Sequence, residues 1–190
     1  MTENIMIVGV GGQGTLLASR VLGALYTAMG EDVKISEVHG MSQRGGSVVT
    51  YVRHGDEPAS PIICDGEADI VLAFEQLEAL RFVGSLKKGG RIIVNTQKIM
   101  PMPVVTGAAA YPDNIIEKLE ATGARVTAVD ALSIAEAAGS AKAVNIALIG
   151  VMAKITGADK ALLLETLEKT VPPKFLELNK KAFELGYDFE

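Results

Sequence analysis

The chain has 190 residues, a formal net charge of -5, and a composition of 48% hydrophobic and 22% charged residues. These values are typical of a folded globular protein, and the length predicts one domain, 1–190, with a sizeable core. The acidic balance argues against nucleic acid and membrane as partners, since both attract basic surfaces. No signal-like segment precedes the first strand-like run, so we expect a cytoplasmic protein.

Short apolar runs alternate with helix-length segments, which predicts strands separated by helices. This alternation is typical of a three-layer α/β fold, here a Rossmann-like, mainly parallel sheet with helices on both faces. From AKAVNIALIGVMAKITG onward only helical patterns remain, which predicts a helical C-terminal layer in which Asn145 is a buried hydrogen-bond partner. The predicted strands, in chain order, are IMIVGV, VKIS, VVTYV, DIVLAF, RIIVN and RVTAVD.

The first predicted strand ends in a glycine-rich turn, GVGGQG, that leads into an amphipathic helix. The glycine spacing matches a dinucleotide-binding fingerprint, and Glu37 follows near the end of the second predicted strand, where a ribose-binding acid would lie. Backbone N–H groups of such a turn at a helix N-terminus suit an anion. An NAD(P)-dependent oxidoreductase and a merely structural tight turn both remain open. The candidate cofactor contacts are Gly9, Gly11, Gly12, Gln13 and Gly14.

A second glycine-rich loop lies in SEVHGMSQRGGSVV. The guanidinium of Arg44 is able to hold a phosphate or carboxylate through paired hydrogen bonds, or to clamp a partner chain. A loop that braces itself at an interface is an equally simple interpretation. The other candidate residues of this loop are His39, Gly40, Met41, Ser42, Gln43, Gly45 and Gly46.

The sequence also predicts a role or a location for five further polar residues. Asn95 ends the strand RIIVN, where a polar residue usually bonds a neighbouring loop or a ligand. Glu75 and Glu78 open the helix after DIVLAF and are expected to stabilise the positive end of its dipole. His54 is expected in an exposed turn, RHGDEP, and Cys64 as a small buried hydrophobe.

Several ordered motifs resemble those of gamma-type subunits or domains of 2-oxoacid:ferredoxin oxidoreductases. The motif HGMSQRGG, with His39 and Gln43, looks most like that of the indolepyruvate (arylpyruvate) branch of that family. The resemblance covers essentially the whole chain. It rests on GVGGQGTLLASRVL, SEVHGMSQRGGSV, DIVLAFEQLEALR, IIVN and LELNKKAFELGY.

The resemblance implies an enzyme complex that decarboxylates a 2-oxoacid on thiamin diphosphate, passes electrons through 4Fe-4S clusters to ferredoxin, and releases an acyl-CoA. A larger partner subunit would carry thiamin diphosphate and the clusters. The residues agree, because the chain has one cysteine and no Gly-Asp-Gly thiamin signature.

Under this resemblance the chain would complete a site instead of supplying a catalytic base or a metal ligand. The glycine turn and the Arg44 loop would lie at the carboxyl edge of the sheet, facing the partner near the CoA phosphates. A noncatalytic assembly subunit that binds no small molecule is the third hypothesis, beside the NAD(P)-dependent enzyme.

Overall fold

A computed structural model of the protein describes residues 2–39 and 46–190. One sheet is flanked by helices on both faces. The strands are β1 (Glu3–Val10), β2 (Asp32–His39), β3 (Ser47–Gly55), β4 (Ala68–Ala73), β5 (Leu86–Asn95) and β6 (Arg125–Val129). The helices are α1 (Thr15–Ala28), α2 (Gln76–Arg81), α3 (Met102–Val105), α4 (Ile115–Glu120), α5 (Ala131–Ala138), α6 (Val144–Thr156), α7 (Lys160–Thr170) and α8 (Leu176–Tyr187).

The strand order in the sheet is β2-β3-β1-β4-β5-β6. Strands β1, β4, β5 and β6 pair in parallel, whereas β3 is antiparallel to both β1 and β2. All six predicted strands are present, and the predicted mainly parallel sheet is confirmed. One feature departs from a dinucleotide-binding fold: β3 lies between β1 and β2, which would otherwise be neighbours.

The core is divided between the two faces of the sheet. Strand β1 is buried on both faces, as expected of an apolar run in a parallel sheet. Helices α1, α5, α6, α7 and α8 cover one face, and α2 and α4 cover the other. The first core includes Ile5, Ile7, Leu22, Leu72, Ile93, Leu148 and Phe183, and the second includes Met6, Val8, Val71, Leu77, Ile92, Val94 and Leu119.

The predicted helical C-terminal layer is formed by α6, α7 and α8. Helix α6 is buried over most of its length and contains the apolar run IALIGVMA. It crosses α8 at two glycines: a Cβ at Gly150 would lie 2.2 Å from the Phe183 carbonyl oxygen, and one at Gly186 would lie 2.1 Å from the Ala147 carbonyl oxygen. None of the described helices is long and apolar enough to cross a membrane.

Two expectations about single residues are wrong. His54 lies within β3, is 5% exposed, and stacks on the Tyr26 ring at 3.3 Å between centroids. Its Nδ1 lies 2.6 Å from Glu31 Oε2, and its Nε2 lies 3.2 Å from Glu3 Oε2, close enough for an ion pair although not aligned as a hydrogen bond. Cys64 is exposed, because it lies in a surface connection between β3 and β4.

Candidate functional site

The carboxyl ends of β1 and β4 lie side by side at one edge of the sheet. The helices that follow them pack on opposite faces, α1 on the first core and α2 on the second. This is the switch point of an open α/β sheet, the usual place for a ligand crevice. The candidate site is therefore built at this edge.

Gln13 joins the two strands at the switch point. Its Oε1 accepts a hydrogen bond from the Val10 N–H at 2.7 Å, and its Nε2 donates to the Phe74 carbonyl at 3.0 Å. Gly9 leaves room for this side chain, because a Cβ at Gly9 would lie 2.9 Å from Gln13 Oε1. The Gln13 amide thus satisfies backbone groups of the protein itself, and its side chain braces the turn.

The remaining glycines of the motif serve different purposes. The Gly11 N–H donates to the Gly46 carbonyl at 2.9 Å, which joins the first glycine turn to the end of the second glycine-rich loop. Gly12 has a φ of 98°, and no atom of the described residues lies within 4 Å of a Cβ placed there. Gly14 has a φ of 84°, and a Cβ there would lie 2.6 Å from Asn145 Nδ2. Close approach of helix α6 is thus one reason for the last glycine.

Helix α1 begins at this turn with Gly14 as its N-cap. No side chain of the described residues caps the helix, and its first turn contains no acidic residue. Asn145, buried as expected, donates from Nδ2 to the Gly14 carbonyl at 3.2 Å. The first N–H groups of α1 thus have no acidic side chain in their own turn, which suits an anion.

An open cleft of about 470 Å³ lies beside the turn. The glycine turn forms one side of it, and Gln97 and Ile99, which follow β5, form the wall on another side. Lys142 contributes a cationic side chain. The other lining residues are Leu132, Ala141 and Val144. Sequence reasoning missed Gln97, Ile99 and Lys142, because no local motif marks them.

Asn95 is fully buried and holds three segments together. Its Nδ2 donates to the Phe74 carbonyl at 3.1 Å and lies 3.3 Å from Gln97 Oε1. Its Oδ1 accepts from the Ala131 N–H at 3.2 Å. The sequence suggested that Asn95 bonds a neighbouring loop or a ligand. The structure shows the bonds to neighbouring loops, and they fix the base of the cleft.

Glu75 and Glu78, in and next to the first turn of α2, are buried. Glu75 does cap the helix, since its Oε2 accepts from the Glu78 N–H at 3.0 Å. Its Oε1 also accepts from the Ile99 N–H at 3.1 Å and from the Tyr111 hydroxyl at 2.5 Å. Burial, and then the Glu75 carboxylate, raise the pKa of Tyr111 above its ordinary value. The expectation of helix stabilisation was thus correct but incomplete for Glu75.

Glu78 connects α2 to the start of β3. Its Oε2 accepts a hydrogen bond from the Ser47 hydroxyl, and its Oε1 lies 3.2 Å from Arg81 Nε. Burial raises the pKa of the Glu78 carboxyl, and its contacts with Ser47 and Arg81 oppose that rise. The buried acid thus fixes the residue at which the second glycine-rich loop rejoins the sheet.

The remaining candidate residues from the sequence lie in β2 and in the second glycine-rich loop. Glu37 lies at the end of β2, and Thr50 Oγ1 lies 3.4 Å from its Oε2. Because β3 intervenes, β2 is two strand spacings from β1, roughly 9–10 Å. This is not the arrangement of a ribose-binding acid beside the first strand. His39 ends β2, whereas Gly40, Met41, Ser42, Gln43, Arg44 and Gly45 lie outside the described residues.

The fold and the site together define an open α/β protein with a glycine-rich turn at its ligand edge. The chain belongs to the pyruvate ferredoxin/flavodoxin oxidoreductase family, whose sequence model matches residues 4–189. This confirms the family predicted from the motifs. The membership does not favour the alternative of an independent NAD(P)-dependent enzyme.

Named relatives and a solved structure agree with this membership. The chain is 42% identical to indolepyruvate oxidoreductase subunit IorB of Thermococcus kodakarensis, over 96% of this chain and 93% of the relative. It is 30% identical to the pyruvate/ketoisovalerate oxidoreductases common subunit gamma of Thermococcus litoralis, over 91% and 87%. The crystal structure of a keto/oxoacid ferredoxin oxidoreductase gamma subunit from Geobacter sulfurreducens matches with a TM-score of 0.70 and 28% identity, over 98% of this chain and 96% of that chain.

Proposed function

We propose that this chain is the small, gamma-type subunit of a cytoplasmic 2-oxoacid:ferredoxin oxidoreductase that prefers indolepyruvate or a similar arylpyruvate. Residues 1–190 would form one gamma-type domain. The observation that carries the proposal is the 42% identity, over nearly the whole chain, to a subunit named for indolepyruvate oxidation. The motif HGMSQRGG supports the same arylpyruvate branch of the family.

The complex would convert the 2-oxoacid and CoA to acyl-CoA and carbon dioxide while reducing ferredoxin. A larger partner subunit would hold thiamin diphosphate and the 4Fe-4S clusters. Residues of this chain do not fit thiamin diphosphate: the nearest string to its signature, CDG at 64–66, lies in an exposed turn where Asp65 Oδ1 accepts from the Ser85 hydroxyl at 3.0 Å. Its single cysteine also supports placing the clusters in another chain.

This chain would contribute a wall of the assembled site. The turn of Gly11, Gly12 and Gly14 would lie near the CoA phosphates, with Arg44 as a second anion contact or a partner contact. Three observations support an anionic ligand: the first turn of α1 has no acidic residue, no atom of the described residues lies within 4 Å of a Cβ at Gly12, and Lys142 supplies a cation. His39, Gln43 and the rest of their loop would face the partner subunit.

The test is the CoA dependence of the reconstituted complex with Arg44→Ala. Loss of one charge-assisted contact predicts a rise in the KM for CoA of roughly tenfold or more, or loss of assembly. The matched control is Arg20→Ala, which removes an exposed arginine from α1. Unchanged CoA dependence together with unchanged assembly would refute the role of Arg44.

The substrate is tested separately with the wild-type complex. Indolepyruvate is expected to give a higher kcat/KM than pyruvate or 2-oxoglutarate when ferredoxin reduction is followed. Equal or better use of pyruvate would remove the arylpyruvate preference and leave the broader oxidoreductase function in place.

A further inference from the structure

Glu75 is a buried carboxylate with an unusual set of partners. It is 1% exposed, and within the described part of the chain it forms no ion pair. Its charge is instead compensated by three hydrogen bonds, from the Glu78 N–H, the Ile99 N–H and the Tyr111 hydroxyl. An ionised carboxylate in such a place is stabilised only while these donors stay aimed at it.

Two of these donors belong to the connection between β5 and α4. Ile99 lies near its start and Tyr111 near its end, and the short helix α3 lies between them. Helix α3 has no buried residue, so packing of α3 into the core does not hold the connection in place. The two hydrogen bonds to Glu75 therefore attach this connection on both sides of α3.

The attached connection is also the wall of the cleft. Gln97 and Ile99 line the cleft with the glycine turn. The neighbour of Glu75 adds two more contacts: the Gln76 N–H lies 3.4 Å from the Gln97 carbonyl, and Gln76 Nε2 donates to the Thr96 carbonyl. The start of α2 thus determines where the wall stands relative to the turn.

We propose that Glu75 is a positioning residue for the oxidoreductase, because its carboxylate fixes the Gln97–Ile99 wall at the spacing from the glycine turn that productive CoA binding requires. The inference rests on the proposed function, since it assumes that the cleft serves CoA in the assembled enzyme. Glu75 acts through the wall and does not touch the reacting atoms.

The chemistry of the site explains why a carboxylate is needed. A glutamine at position 75 has nearly the same size, but one of its two terminal atoms is an NH₂ group, which cannot accept a hydrogen bond. In either orientation the NH₂ group would therefore face at least one backbone N–H, of Glu78 or of Ile99. Tyr111→Phe is milder, because it leaves both N–H donors bonded to the carboxylate.

The experiment uses the reconstituted complex and varies CoA in the steady state. Glu75→Gln is expected to raise the KM for CoA about tenfold while kcat at saturating CoA stays within about twofold, and Tyr111→Phe to raise the KM about twofold to threefold. Hydrogen exchange at the Ile99 amide should be faster in Glu75→Ala, which removes both carboxylate oxygens. The control is Asp159→Asn, the same change from carboxylate to amide at the N-cap of α7, which should alter neither quantity.

Gln97→Ala separates this inference from the proposed function. A raised KM for CoA in Gln97→Ala with an unchanged KM in Glu75→Gln would overturn the role of Glu75 and leave the cleft in place. An unchanged KM in both variants would overturn the assignment of the cleft to CoA and the positioning role with it. Unchanged Ile99 exchange in Glu75→Ala would overturn the positioning role by itself. If the Glu75 variants do not fold, an unchanged KM for CoA in Tyr111→Phe would overturn it.

Discussion

The crossing of α6 and α8 gives the most specific stability prediction, for Gly150→Ala. A Cβ at Gly150 would lie 2.2 Å from the Phe183 carbonyl oxygen and 2.8 Å from the Tyr187 nitrogen. Carbon–oxygen contacts are normally about 3.3 Å or longer, so the overlap is roughly 1 Å. Both atoms belong to the backbone of α8, and no side-chain rotation relieves the overlap. The helices must therefore move apart.

The magnitude follows from two opposing effects. Overpacking a core costs about 1–3 kcal/mol, and we expect the upper end because backbone atoms are struck. Alanine gains about 1 kcal/mol over glycine within a helix. The net loss in the free energy of unfolding should be about 2 kcal/mol, which lowers the Tm of a chain of this size by roughly 4–8 °C.

The assay is thermal and urea unfolding of the full chain, followed by circular dichroism. Gly84→Ala is the matched control: no atom of the described residues lies within 4 Å of its Cβ position, and its φ lies outside the left-handed region. This control should change the free energy of unfolding by less than about 0.5 kcal/mol. A Gly150→Ala chain as stable as the wild type would refute the close crossing.

Three further predictions concern the turn and the two residues that the sequence misassigned. Gln13→Ala leaves the Val10 N–H without its side-chain acceptor and removes one of two donors to the Phe74 carbonyl, which keeps Asn95 Nδ2, and should cost about 1–2 kcal/mol in urea unfolding; an unchanged midpoint would contradict the bridge. Burial opposes ionisation of His54, but its contacts with Glu3 and Glu31 raise its pKa above 6.5. Its stabilising effect is therefore complete below that pH and lost as pH rises through the folded pKa. The stability lost in His54→Gln should accordingly be larger at pH 6 than at pH 9, and equal losses would exclude a charged imidazole. Cys64 should react with iodoacetamide in the folded, isolated chain, and a need for denaturant would show that it is buried.

Much of the fold could be predicted because the strands are marked by local patterns. The buried run of β1 and the short apolar runs of the other strands give clear signals. The antiparallel direction of β3 was also within reach of the sequence: residues 40–46 separate β2 from β3, too few for the crossover that a parallel neighbour requires. The position of β3 between β1 and β2 could not be predicted, since no local signal specifies strand order.

The site was less predictable because its contacts join distant parts of the chain. Asn145 and Gly14 are 131 positions apart, and Glu75 and Tyr111 are 36 apart. His54 was misassigned because its sequence neighbours resemble a turn, whereas its burial depends on Tyr26 from α1. Glu75 was recognised as a helix cap, but nothing in DIVLAFEQLEALR indicates that it also holds the connection after β5.

The most direct test of the central claim is an anaerobic affinity purification of this chain from its own cells, followed by an assay of the eluate. The account predicts a brown complex with a larger subunit that reduces ferredoxin with indolepyruvate in a CoA-dependent reaction. A colourless, solitary chain without that activity, purified intact under mild conditions, would contradict the assignment as an oxidoreductase subunit.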